Sequence, residues 1–364
     1  MGNTTLDTIR QMLRISPQAQ FLLEGDSVIA ASPEAQRFLP GMRGEITAAR
    51  LFGDDIQQYH QFQQEGSMLF NAQIAGRRCD VTVTALPPYC LCTIAPAAGV
   101  EHAETMCAVA QQLRNPLSSI MSVTPKLLPM LEELEDPEAM RRAAALNQGL
   151  YQMLRLAENL ERYAMAQPAA QLCRFDLRVY FQELEDQLAP LCRKAGRTLE
   201  FHYPSEVCLC TADKNQLTQA IMNLLSNAIK FSRSEQTIVI GCRKQKGRVL
   251  ISIRDQGQGI PPDQMGTVFL HSEHRGQLPD PRWGAGLGLQ TARRIIEAHG
   301  GRLMLETVEG QGTTVYLSLE DQSGGQTNTL CDTIVPVANG IDPVLVGLAD
   351  VLPAQVYDVL DTCL

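Results

Sequence analysis

At 364 residues and 45% hydrophobic content, the chain has apolar side chains enough for two or three domains with separate cores. A formal net charge of −9, with no stripe of clustered Lys and Arg, argues against a nucleic-acid partner, because neutralising phosphates needs concentrated cations. No run of about 18 apolar residues is present, and the uncharged stretch from Val81 to Val100 is broken by prolines and threonines, so no membrane span and a cytoplasmic protein are expected.

Residues 1–98 carry short extended runs separated by turns. FLLEG-D-SVIAAS breaks at Gly25-Asp26 and SMLFNAQIAGRRCDVTVTAL breaks at Ala75-Gly76, which is hairpin chemistry. PEAQRFL and ARLFGDDIQQYHQF read as short helices between them. Hairpin, helices and then three strands is an order that resembles a PAS-type sensor module. No flavin or haem signature accompanies it, so a dimer-forming scaffold and a ligand sensor both stay open. The eleven cysteines lack paired CxxC spacing, which points to reduced, packed thiols. Cys90 with Cys92, and Cys208 with Cys210, would each share one face of a strand, either as core packing or as part of a metal site.

Residues 99–168 change to a helical period. Met106, Leu113, Ile120 and Leu127 recur every seven residues, with Ala110, Leu117, Thr124 and Leu131 running beside them. After the acidic loop EELEDPE a second stripe follows Leu146, Leu150, Met153, Ala157, Leu160 and Ala164. A hairpin of two such helices cannot bury its stripes alone, which predicts a homodimer closed as a four-helix bundle. Pro125 and Pro129 each remove a backbone donor and are expected to bend the last turns of the first helix.

Residues 169–320 mix helices and strands: a helix at RVYFQELEDQLAPLCRKAG, strands at TLEFHY and EVCLCTA, a helix from Asp213 to Phe231, strands at TIVIGCRK and RVLISIRD, a long loop, the helix LGLQTARRIIEAHG, and two closing strands. The expected class is α+β, a sandwich with helices on one sheet face. Residues 321–364 form a tail of unread function, in which Asp342 and Pro343 open a helix.

Three features of that third region carry chemistry. Asp213 is placed to cap its helix, and Leu217, Ile221, Leu224 and Ala228 mark the core face. Asn223, Asn227 and Lys230 recur at i, i+4 and i+7, so one side presents two amides and an ammonium. Amide oxygens suit Mg²⁺ and Lys suits phosphate. Asp255-Gln-Gly257-Gln-Gly259 follows a strand directly; a carboxylate there can accept an exocyclic amine, and the glycines admit close backbone approach. Gly284-Ala-Gly286-Leu287-Gly288-Leu then leads into a helix whose free N–H groups can hold phosphate.

In this order the three resemble the nucleotide-binding set of the histidine-kinase-like ATPase superfamily, and Gly310-Gln-Gly312-Thr313-Thr314 matches its last glycine box. The resemblance implies a Bergerat-type ATP fold, with Asn227 on Mg²⁺, Asn223 and Lys230 near the phosphates of ATP, Asp255 on adenine, and residues 260–283 as the ATP lid. Phe269 fits the aromatic box of that lid, but the second aromatic expected shortly afterwards is absent.

A helical hairpin joined to such a domain resembles the two-component sensor histidine kinases, whose first helix reads close to HELRxPL. Here Gln111-Gln112-Leu113-Arg114-Asn115-Pro116-Leu117 keeps Leu, Arg, Pro and Leu, while the phosphoacceptor and its acidic neighbour have both become Gln. Gln111 lies about 200° around the helix from Leu113, outside the apolar stripe. His102 is more than two turns upstream, and His60, His202, His271, His274 and His299 fall outside the hairpin. Asn115, four residues on from the acceptor position, matches a position that in the family can align water on the phosphoaspartate of a response regulator.

Three readings follow: an ATP-binding sensor disabled for autophosphorylation, a kinase acting on the histidine of a partner kinase, and a response-regulator phosphatase using Asn115. A GHL-type ATPase or chaperone shares the nucleotide fold, but its water-activating Glu falls where this chain has Asn223, so steady hydrolysis is not expected.

Overall fold

The structure is a computed structural model describing residues 2–38, 46–62, 65–96, 103–132, 136–164, 170–233, 235–245, 247–265, 268, 287–320 and 341–357. The chain divides into two compact units, one of residues 1–99, 258–270 and 303–315, the other of residues 100–257, 271–302 and 316–364.

The first unit begins with a helix no sequence pattern announced, Gly2–Ile15 (α1). The hairpin of Ala19–Glu24 (β1) and Ser27–Ala31 (β2) turns at Gly25-Asp26 as expected. Pro33–Phe38 (α2), Ala48–Phe52 (α3) and Ile56–Gln61 (α4) follow, then Ser67–Ile74 (β3), Arg77–Leu86 (β4) and Tyr89–Pro96 (β5). The strand order is β2-β1-β5-β4-β3, so the amino-terminal hairpin lies beside the last strand of the meander. Phe21, Phe52 and Phe70 are fully buried and fill this core. Cys79, Cys90 and Cys92 are buried free thiols, and burial raises the pKa of each.

The second unit opens with the expected hairpin, Ala103–Glu132 (α5) and Pro137–Ala164 (α6). The helix runs on through Pro125 and Pro129. The apolar stripe splits into two ridges. Ala110, Leu117 and Thr124 of α5 are buried in the seam with Leu150, Leu154 and Ala157 of α6. Leu113 and Ile120 remain 40% and 49% exposed, as do Leu146 and Met153 across the hairpin at 61% and 47%. The seam is also fixed by charge, since Arg114 Nη1 donates to Glu161 Oε2 at 2.8 Å and Nη2 to Glu158 Oε1 at 3.4 Å.

Beyond the hairpin, a short strand absent from the sequence reading, Cys173–Asp176 (β6), precedes Leu177–Lys194 (α7). Thr198–His202 (β7), Leu209–Ala212 (β8), Lys214–Phe231 (α8), Thr237–Gln245 (β9) and Arg248–Arg254 (β10) come next. β9 pairs antiparallel with β10 and parallel with β7, while β6 and β8 make a separate ribbon. Pro262–Met265 (α9) belongs to the first unit. Gly288–Ala298 (α10), Arg302–Val308 (β11) and Gly312–Glu320 (β12) follow, and within the first unit β11 pairs antiparallel with β3 from Leu305↔Leu69 to Thr307↔Ser67. The described residues close with Pro343–Gly347 (α11), capped by Asp342, and a 3₁₀ turn at Ala354–Tyr357. The class is α+β, as expected. Cys173, Cys192, Cys208, Cys210 and Cys242 are buried thiols outside any disulfide, and the described residues hold no group of three or more His, Cys, Asp or Glu placed to bind a metal.

The start of α8 shows why the sequence folds this way locally. Asp213 Oδ1 accepts from the N–H of Gln216, Oδ2 accepts from the N–H of Gln171, and the Asp213 N–H donates to His299 Nε2 at 2.9 Å. Nδ1 of that imidazole faces the Ile295 carbonyl at 2.7 Å, which ties the start of α8 to the end of α10. Asp213→Ala strips both carboxylate contacts in a buried setting and should lower unfolding free energy by about 1–3 kcal/mol, read from the urea midpoint at unchanged slope. The exposed neighbour Asn215 is the control, and Asn215→Ala should stay within about 0.5 kcal/mol.

Candidate functional site

The apolar side of α8 behaves as its spacing dictates: Leu217, Ile221, Leu224 and Ala228 are all buried. The polar side carries the candidate residues. Asn223 is buried and its amide is fully engaged with α6, since Nδ2 donates to Asn159 Oδ1 at 2.9 Å and Oδ1 accepts from Asn159 Nδ2 at 3.2 Å and from Arg155 Nη2 at 3.4 Å. One turn on, Asn227 is half-buried. A further turn on, Lys230 has a side chain only 6% exposed, and Nζ donates to Asp350 Oδ2 at 3.0 Å. Burial lowers the Lys230 pKa, and the Asp350 carboxylate pulls against that shift.

Asp350 also faces Arg155, whose Nη1 stands 2.7 Å from the same Oδ2; the pair is close but poorly aligned for a hydrogen bond. A polar cavity of about 260 Å³ opens here, lined among others by Arg114, Arg155, Glu158, Asn223, Val346 and Gly347. It is smaller than the roughly 300–1,000 Å³ of most ligand pockets. Burial holds the Glu158 carboxyl above its usual range, against the pull of Arg114 and Arg162.

The second motif sits where the sequence put it, at the end of β10. Asp255 is buried and its Oδ1 accepts from the Gly257 N–H at 2.8 Å. Gly257 has a structural reason to lack a side chain, because a Cβ there would lie 2.3 Å from the Phe231 carbonyl oxygen at the end of α8. Gly259, in the first unit, takes a φ of +65°, which favours glycine. In the third motif, Leu287 is the buried N-cap of α10 and Gly288 its first residue, packed so that a Cβ would be 3.3 Å from Asn223 Oδ1. Gly284, Gly286, Phe269, His102, His271 and His274, with most of the lid, lie outside the described residues. Thr313 belongs to the first unit, with Oγ1 3.1 Å from Thr307 Oγ1.

At the acceptor position, Gln111 and Gln112 are exposed, as is Asn115. Asn223 and Gly288 are thus brought together, as are Asp255, Gly257 and the end of α8. Three further participants were not singled out from the sequence. Arg155 and Asn159 are polar residues at i, i+4 inside the α6 pattern, and Asp350 is the lone charge in VLVGLADVL; each carried that faint signal.

The site residues can be compared with known proteins. Residues 212–323 match the family described as histidine kinase-, DNA gyrase B-, and HSP90-like ATPase. The alginate biosynthesis sensor protein KinB of Pseudomonas aeruginosa is 30% identical over 224 residues, 60% of this chain and 37% of its own. The sensor protein kinase WalK of Staphylococcus haemolyticus is 27% identical over 228 residues, 60% of this chain and 36% of its own. The chain therefore spans little more than a third of the length of these relatives. Among solved structures, full-length ShkA in complex with AMPPNP gives a TM-score of 0.46 at 22% identity over 60% of this chain and 45% of its own. Histidine kinase ThkA in complex with response regulator protein TrrA gives 0.40 at 17% identity, over 85% of this chain and 98% of its own.

The amide pair joining α6 to α8 can be tested by a double-mutant cycle on Asn159→Ala and Asn223→Ala. Each single change leaves a buried amide unpaired, so the coupling measured by chemical denaturation should be about 0.5–3 kcal/mol. Additive effects would mean the two amides do not meet in solution.

Proposed function

We propose that this chain, a member of the sensor histidine kinase family through its ATPase module, is a nucleotide-binding signalling protein that does not phosphorylate itself. One observation carries the reading: Asn223, Asn227 and Lys230 share a face of α8 inside the matched ATPase segment, while the acceptor position on α5 holds Gln111. The domain boundaries that go with it are a PAS-like module at 1–98, a hairpin at 99–168, the ATPase module at 169–320 and the tail from 321, with the protein acting in the cytoplasm.

The donor set fits ATP and Mg²⁺. A carboxylate already rests on the buried Lys230 ammonium, so the position accepts an oxyanion. Asn227 offers a hard amide oxygen to Mg²⁺, whose other ligands phosphates and water normally supply. Asp255 is a buried acceptor for an adenine amine, and Leu287 and Gly288 open α10, whose first N–H groups would face phosphate; Gly284 and Gly286, outside the described residues, are assigned to the same phosphate contact from the sequence motif. When bound, ATP supplies a γ-phosphoryl group.

What this chain does with that group is decided on α5. A histidine captures phosphate because one neutral ring nitrogen is nucleophilic while the other keeps its proton. The nitrogen of the Gln111 carboxamide has its lone pair delocalised into the carbonyl, and Gln112 supplies no carboxylate to act as base. Autophosphorylation therefore stops at the acceptor. Output then comes from nucleotide-dependent conformation, from a partner kinase whose histidine receives the phosphoryl group, or from a response regulator. The exposure of Asn115 favours the phosphatase version of the last.

Incubation of the protein with γ-labelled ATP and Mg²⁺ should leave no acid-labile, base-stable label on the chain; label on the hairpin would overturn the reading. Addition of a phosphorylated receiver domain tests Asn115, whose replacement in Asn115→Ala should abolish any accelerated release of phosphate.

The exposed ridge of Leu113, Ile120, Leu146 and Met153 supports a homodimer closed across the hairpins. Light scattering should give twice the chain mass of 40.1 kDa, and replacing Leu113 and Ile120 by Glu should shift it toward the single-chain value.

A further inference from the structure

Nothing in nucleotide binding requires a C-terminal extension, yet residues 341–357 are tightly packed in the second unit. Asp342 caps α11 through the Val344 N–H at 2.7 Å, and Val344, Val346, Leu348, Leu352, Val356 and Tyr357 are buried. α6 holds the segment by its backbone: Gln148 Nε2 donates to the Leu352 carbonyl at 2.8 Å, Gln152 Nε2 to that of Ala349 at 3.1 Å, and Asn147 Nδ2 to that of Tyr357 at 2.9 Å. The Tyr357 hydroxyl closes the segment on itself by donating to the Leu345 carbonyl at 2.8 Å. This is a specific seat, since three amide side chains of one helix recognise main-chain carbonyls that a loosely adsorbed tail would turn to water.

On its other side the segment meets α8. Gly347 approaches Met222 so closely that a Cβ would fall 2.3 Å from Met222 Cβ. That approach sets Asp350 over two cations whose side chains are nearly sealed, Lys230 at 6% and Arg155 at 7% exposure. A buried cation is stable only with a partner. Here the partner is an oxyanion belonging to the chain itself, on the lysine that α8 would offer to a nucleotide's phosphates.

We propose that residues 341–357 are a built-in competitor of the nucleotide: Asp350 lays a carboxylate where a phosphate oxygen would be held, and the segment leaves Lys230 before a triphosphate can occupy it. The inference rests on the nucleotide-binding reading of α8 and adds to it a closed state. Apparent affinity for ATP then equals the intrinsic affinity scaled by the fraction of molecules with the segment released. Anything that lifts the segment from α6 opens the site without touching a nucleotide-binding residue.

The test uses the full chain with Mg²⁺ and ATP, comparing wild type with Gly347→Leu, which forces the segment off Met222, and with the near-isosteric Asp350→Asn, which removes only the charge. Hydrogen exchange in residues 341–357 reports the segment and titration calorimetry reports ATP. Gly347→Leu should exchange fast throughout the segment and bind ATP at least about 10-fold tighter, Asp350→Asn should also tighten binding, and saturating ATP should speed exchange of the segment in the wild type. Equal ATP affinity in all three proteins, with the segment released in Gly347→Leu, would remove the competitor and leave nucleotide binding intact. Absence of ATP binding in every protein, the released variant included, would remove both. Should Gly347→Leu not fold, Asp350→Asn and the wild-type exchange experiment decide alone.

Discussion

Two cations shut away from water cannot be left alone, and that constraint organises the second unit. Lys230 on α8 and Arg155 on α6 converge on one carboxylate, Asp350, and the amide of Asn223 is drawn into the same cluster through Arg155 and Asn159. Removing one partner from such a group strands the others, which makes the cluster cooperative. Three parts of the chain that are far apart in sequence, α6, α8 and the segment carrying Asp350, are thereby held together by polar side chains.

The hairpin shows a second division of labour. Each helix carries two apolar ridges; one closes the seam within the chain and the other faces outward. The exposed Gln111 and Asn115 lie on a further side of α5, Gln111 about 200° around the helix from Leu113, outside both ridges. Chemistry and packing are thus separable on α5: the Gln111 side chain is exposed, so the residue at that position can change without altering a buried contact.

Much of this was legible from residues alone where the cause is local. Asp213 caps because its side chain reaches an N–H group of the next turn, and the two hairpin turns follow from the left-handed backbone that Gly25 and Gly76 adopt readily. Asp342 and Pro343 opened a helix for the same reason. The remainder depends on partners that periodicity does not name. A heptad pattern gave a single stripe, but which ridge meets α6 and which stays outside depends on the angle of the hairpin. β6 is four residues long and exists through its pairing with β8, and β11 lies against β3, far away in sequence. The polar stripe on α8 was recognisable as a stripe from its spacing; that Asp350, 120 positions later, would meet it was not.

The buried sulfurs of the first unit are kept out of reach of solution chemistry. Cys79, Cys90 and Cys92 are sealed in the sheet, and burial raises each of their pKa values. Peroxide and electrophiles attack the thiolate and need access to it. These three side chains meet neither condition, so the folded sheet protects its own sulfur from conversion to sulfenic acid.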